Sequence, residues 1–189
     1  MTRRAGACLL PLIEETEVPE HEQPINRVRR RDRAVEDDAW IRAFLQQARY
    51  GVVATECDGQ PFMNPVVFAY DQATHAIYFH TGRAGRIFAN ISRNPRVCFN
   101  ACAMGAVISS PTAAGCDVEY ESVVVFGKAE VLSDAAEATH ALRLLLEKYT
   151  PDRKYGVDYQ PIAPEQLARA AAYRVRVEAW SGKRNPNSQ

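Results

Sequence analysis

Within seven residues, His80-Thr81-Gly82-Arg83-Ala84-Gly85-Arg86, this chain gathers an imidazole, a hydroxyl, two guanidinium groups and two glycines. That set suits a phosphate monoester. Glycines free the backbone amides at a helix start, and a guanidinium supplies a charge-assisted fork. By residue type alone the same run is also an ordinary strand-to-helix turn. An unperturbed imidazole titrates at about 6.5, so His80 could pass a proton near neutrality or simply hold the turn by bonding a carbonyl.

Other chemistries lack their residues. No G-x-S-x-G, H-E-x-x-H, P-loop or dinucleotide-binding glycine pattern occurs. The four histidines, His21, His75, His80 and His140, do not fall at metal-ligand spacing. The five cysteines, Cys8, Cys57, Cys98, Cys102 and Cys116, are odd in number and form no C-x-x-C pair, which argues against a disulfide framework and a zinc site. Cys98 and Cys102 lie in an apolar run and are expected to be buried thiols.

The elements that position the His80 run follow from periodicity. Asp37 or Asp38 can cap a helix in which Trp40, Ile41, Phe44, Leu45 and Ala48 recur at three and four residues, ending at Gly51. The period then changes to two. Val52–Thr55, Phe62–Tyr70 and Ala76–His80 read as strands, with Asp58-Gly59 and Asp71–Thr74 as turns. Arg83–Ser92 reads as a short helix stopped by Asn94-Pro95, and Val97–Ala103 as a fourth strand. Met104–Asp117 is expected to be a loop. Tyr120–Leu132 is a long strand with a bulge expected at Gly127. Asp134–Tyr149 is the clearest helix, with Ser133 or Asp134 as cap, Glu137 completing an Asp-x-x-Glu box, and a stripe of Leu142, Leu145, Leu146 and Tyr149. Ala172–Trp180 alternates as a last strand. About six antiparallel strands with helices inserted between them predict a mainly β fold, a small closed barrel of Greek-key type.

The whole-chain balance narrows the partners. Lys plus Arg and Asp plus Glu number 23 each in 189 residues, so no global field favours nucleic acid or an anionic membrane. Residues 1–35 read as an N-terminal arm with an acidic block followed by a basic one (Arg27, Arg29, Arg30, Arg31, Arg33), taken as solvated. Residues 36–184 form the domain and 185–189 a short C-terminal tail. The apolar stretch Ala7–Ile13, broken by Pro11, is too short for a secretory signal, and a reduced, cytoplasmic protein is expected.

Four segments, in order, resemble the pyridoxamine 5′-phosphate oxidase-like FMN-binding split-barrel family, closest to its nitroimidazole-resistance reductase branch. They are Gly59-Gln60-Pro61-Phe62-Met63-Asn64-Pro65-Val66, Ile77-Tyr78-Phe79-His80-Thr81-Gly82-x-x-Gly85-Arg86, Ile91-x-x-Asn94-Pro95-Arg96-Val97-Cys98-Phe99, and Tyr120-x-Ser122-Val123-x-x-x-Gly127-x-Ala129. The resemblance implies a six-stranded antiparallel split barrel that binds FMN in a cleft between the two subunits of a homodimer. It implies that Asn64, Pro65 and Val66 run along the flavin ring, and that Thr81, Gly82, Arg83 and Arg86 bind its phosphate. Ser122 and Val123 would close the cleft from the other subunit, Trp180 and Lys183 would contact ring or phosphate, and His80 would lie near the flavin as the catalytic candidate. One departure stands out. Family members that oxidise pyridoxamine phosphate end in an Arg-Leu-His-Asp-Arg type segment, whereas here Ser181-Gly182-Lys183-Arg184-Asn185 follows Trp180. The expected function is an FMN-dependent oxidoreductase that reduces a small acceptor, a nitroaromatic among the candidates. The alternatives are pyridoxamine-phosphate oxidation, a non-enzymatic flavin- or haem-binding protein, and a cofactor-free barrel serving as an interaction module. FAD or a deazaflavin could replace FMN.

Overall fold

The first helix, α1 (Asp38–Gln47), starts where Asp37 accepts a hydrogen bond from the Ala39 amide at 2.8 Å. It buries Ile41, Phe44 and Leu45, one face of a 3.6-residue period. In the computed structural model, which describes residues 22–186, the chain then enters an antiparallel sheet. Strands β2 (Gly51–Cys57) and β3 (Gln60–Val66) pair through a two-residue turn. Asp58 and Gly59 both take positive φ there, 54° and 78°, the conformation that favours Asp-Gly in a tight hairpin.

Strands β4 (Phe68–Asp71) and β5 (Ala76–Gly82) form the next hairpin, and α2 (Arg86–Arg93) follows. Strands β6 (Arg96–Ile108) and β7 (Asp117–Val131) make a long hairpin, α3 (Ala135–Tyr149) and α4 (Pro164–Arg169) cover one side, and β8 (Ala170–Asn185) closes the sheet. The sheet order is β3-β2-β6-β7-β8-β5-β4, and every pair is antiparallel. The non-sequential neighbours β2–β6 and β5–β8 give the Greek-key character. The interior is filled from both ends of this order by Val53, Phe68, Phe79, Phe99, Val123, Val125, Tyr173 and Val175, all fully buried.

Several expectations change in detail. Eight strands replace six. The segment 62–70 is two strands, because the chain turns at Val67 and the Phe68 amide bonds the Tyr149 hydroxyl at 3.1 Å. The last part of the arm also docks. Ala34–Val35 (β1) pairs with Lys183 and Gly182, and Arg33, with only 19% of its side chain exposed, bonds Asp117 at 3.0 Å. The segment Met104–Asp117 is largely hairpin, since β6 runs on to Ile108 through a register shift after Met104. The last strand reaches Asn185, and α4 lies in a stretch with no clear period. The expected buried thiols differ too: Cys98 is half-buried and Cys102 exposed. Both point to the outer side of β6, since their neighbours Val97, Phe99 and Ala101 take the core. Cys8, the acidic block before residue 22, and 187–189 lie outside the described residues. The bulge at Gly127 is present as a register shift between Phe126 and Gly127. A Cβ built at Gly127 would sit 2.1 Å from the Arg176 carbonyl oxygen, so only glycine permits that approach. Among the described residues no helix is long and apolar enough to cross a membrane.

Candidate functional site

The barrel is open between β3 and β5. Strand β3 pairs only with β2, and β4 pairs with β5 only as far as Phe68 opposite Phe79. Residues His80, Thr81 and Gly82 therefore pair with β8 on one side and leave their other edge free. Two strand edges with unpaired amides and carbonyls face one gap, a template for polar groups of a ligand.

At one end of this gap lies a cleft of about 170 Å³ lined by Phe62, Asn64, Thr81, Gly85, Arg86 and Phe88, among others. The period of two puts Phe62 and Asn64 on the same face of β3, opposite Met63 and Pro65. Thr81 enters from β5, where its hydroxyl donates to the Gly82 carbonyl at 2.9 Å and lies 3.0 Å from the Tyr173 hydroxyl. Helix α2 starts at Gly85, whose φ of 133° is one that L side chains rarely adopt. No side chain caps this helix and no acidic residue stands in its first turn. Its leading amides thus remain available at the positive end of the helix. Arg86, the first helical residue, lays its guanidinium 5.4 Å from the centre of the Phe62 ring and is exposed. A guanidinium and free helix amides, with the Thr81 hydroxyl beside them, line a small cleft and are groups that can hold a phosphate monoester.

Arg83 is not part of this set. Its guanidinium reaches the Leu167 carbonyl on α4 at 3.4 Å. His80 is directed to the other face of β5, because Ile77, Phe79 and Thr81 take the inner one. It lines a larger, apolar cavity between β5, α3 and α4, of about 510 Å³. Burial there pushes its pKa below the ordinary 6.5.

The remaining sequence-predicted residues lie elsewhere in the protomer. Ser122 and Lys183 are cross-strand neighbours on the outer face of β7 and β8, with the Lys183 ammonium over the Tyr120 ring at 5.6 Å. Val123 is fully buried in the core, so only its main chain could meet a ligand. Pro65 sits on the outer face of β3, and Val66 is buried beside the gap. Trp180 donates its indole N–H to Asp38 at 2.8 Å and packs edge-on against His75 with ring centres 4.6 Å apart. Among the described residues, no group of three or more His, Cys, Asp or Glu is placed to hold a metal ion. Two aromatics of the cleft, Phe62 and Phe88, are not among the site residues expected from the sequence, although Phe62 lies within the first matching segment. Strand alternation from Asn64 would have found Phe62.

The model of the family described as pyridoxamine 5′-phosphate oxidase matches residues 37–184, most of the chain. The chain belongs to that family. No curated protein matches it. Among solved structures, it is similar to the flavocytochrome Anf3 from Azotobacter vinelandii at TM-score 0.74 and 21% identity, covering 85% of this chain and 73% of that one. It is also similar to an FAD and haem binding protein from Mycobacterium smegmatis, at TM-score 0.74 and 18% identity over 82% of this chain and 74% of that one. A candidate 5-nitroimidazole antibiotic resistance protein from Bacteroides thetaiotaomicron follows at TM-score 0.67 and 24% identity, over 79% and 85%. These likenesses show the fold.

Proposed function

We propose that this protein is an FMN-dependent oxidoreductase that works as a homodimer in the cytoplasm and reduces a small acceptor, a nitroaromatic compound among the candidates. The observation that carries the reading is the cleft at the split, where Thr81, Arg86 and the uncapped start of α2 converge beside two free strand edges. Those residues fit the phosphate of FMN, and the open edges of β3 and β5 fit the polar rim of its ring. Bound flavin would supply the two-electron chemistry, while the protein binds and orients it.

The homodimer rests on the outer face of the sheet. Met63 and Met104 are 65% and 72% exposed there, and Val124, Phe126 and Cys102 share that side. Exposed apolar side chains on one sheet face mark an interaction surface. In a symmetric pair it is self-complementary, and the partner copy would bring its Ser122 and Lys183 toward the cleft.

The visible spectrum of purified protein, with the released cofactor identified by mass, tests the reading. FMN is expected, followed by turnover with a reduced nicotinamide donor and an acceptor. FAD or a deazaflavin would correct the cofactor, and protein that purifies and reconstitutes without any flavin would refute the reading. Similarity to the flavocytochrome and to the FAD and haem binding protein supports a second reading, a flavin carrier without turnover. Bound flavin that no donor and acceptor pair can cycle would favour it.

A further inference from the structure

The larger cavity on the α3 side of β5 calls for an occupant of its own. Its volume, about 510 Å³, falls in the range of small-molecule sites. Helix α3 buries Ala138, Ala141 and Leu145 against the barrel, but its predicted stripe is wider than that contact. The surplus residues Leu142 and Leu146 turn to the cavity, joined by Val67, which is 43% exposed, and by Ile162. Leaving these side chains half-exposed forgoes hydrophobic stabilisation that a bound ring would recover.

The polar content is sparse. No Lys, Arg, Asp or Glu lines the cavity; its polar side chains are His80, Gln166, Tyr149 and Thr150, and the last two hydroxyls already donate to main-chain carbonyls. Among the described residues the His80 side chain makes no hydrogen bond or ion pair, although its main chain pairs with β8. An apolar wall without a counter-charge rejects a phosphate, a carboxylate or an ammonium group, because each would lose hydration unpaired. The same argument counts against a porphyrin, whose two propionates would find no cation among the lining residues.

We propose that this cavity binds an uncharged aromatic ring compound bearing a carbonyl-type oxygen, with His80 donating a hydrogen bond to that oxygen and Leu142, Leu146 and Val67 covering the ring. The site is separate from the phosphate cleft, since His80 and Thr81 project to opposite faces of one strand. It stands whether or not the cleft holds flavin.

Equilibrium dialysis of the full chain, as purified, against 2-acetylnaphthalene and 2-naphthoate tests this directly. The two probes differ by a methyl group in place of an anionic oxygen. The neutral ketone is expected to bind at least roughly tenfold more tightly. Leu146→Asp and, independently, Val67→Asp at its exposed position should each weaken ketone binding by about tenfold or more, with circular dichroism and Tm confirming the fold. His80→Phe should weaken it about two- to tenfold. Arg86→Ala should leave it unchanged while weakening FMN, which separates failure of this site from failure of the flavin reading. Equal binding of the anion, no binding of the ketone, or indifference to both aspartate variants would overturn the proposal. So would a haem Soret band in the purified protein that His80→Phe removes.

Discussion

Arg86→Ala and Arg83→Ala should separate two arginines that the sequence places on equal terms. Arg86 stands at the first position of α2, exposed, and its guanidinium lies on Phe62 at the mouth of the cleft. No carboxylate is paired with it among the described residues, so its charge is available to a ligand. Arg83 instead extends to the Leu167 carbonyl on α4. A charge-assisted contact to phosphate contributes about 1.5–3 kcal/mol, which is roughly ten- to a hundredfold in affinity. Removing Arg86 should therefore weaken FMN by about that factor. Removing Arg83 should change it by less than about threefold, the scale of a distant screened charge. The assay is fluorescence titration of flavin into apo-protein, with riboflavin as a control that lacks the phosphate. Arg86→Ala should leave riboflavin affinity unchanged. Equal losses in the two variants, or unchanged FMN affinity in Arg86→Ala, would refute the assignment of the cleft to phosphate.

Three further outcomes follow from the structure. Met63→Asp places a charge on the outer sheet face at a side chain already exposed in one protomer, so the fold should persist while sedimentation shifts from dimer to monomer; a wild-type sedimentation coefficient in the variant would move the interface elsewhere. Burial lowers the pKa of both His75 and His80 below 6.5, with Arg42 adding to the effect at His75. The unfolded chain then binds protons at higher pH than the folded one, so stability is present above about pH 6.5 and lost as pH falls through and below it. Tm should drop between about pH 7.5 and about 5.5, and drop less in the His75→Gln/His80→Gln double variant; an identical profile in that variant would assign the loss to other groups. Gly127→Ala should cost about 1–3 kcal/mol in denaturant unfolding, because the added methyl meets the Arg176 backbone, and an unchanged midpoint would mean the bulge relaxes freely.

Local chemistry was legible in the sequence wherever one short-range interaction decides the outcome. Asp37 and Asp134 cap their helices as residue type requires, Asp58-Gly59 turns the hairpin, and Gly127 marks the bulge. The cleft proposed for phosphate was half legible, since Thr81, Gly85 and Arg86 fall within six residues and Asn64 sits in the matching segment. What remained hidden depends on which edges meet in space. The separation of Arg83 from Arg86, and of His80 from Thr81, follows from strand alternation combined with the placement of α4 and α3. The Glu137 carboxylate, expected to complete a capping box, bonds Arg174 on β8 at 3.3 Å instead. The hydrogen bond from Trp180 to Asp38 could not be read from the sequence, because it depends on α1 packing over β8. Period and residue type determine which side a residue faces. Only the closed sheet determines what lies on that side, because β8 reaches β5 and β7 across long sequence separations that no local pattern encodes.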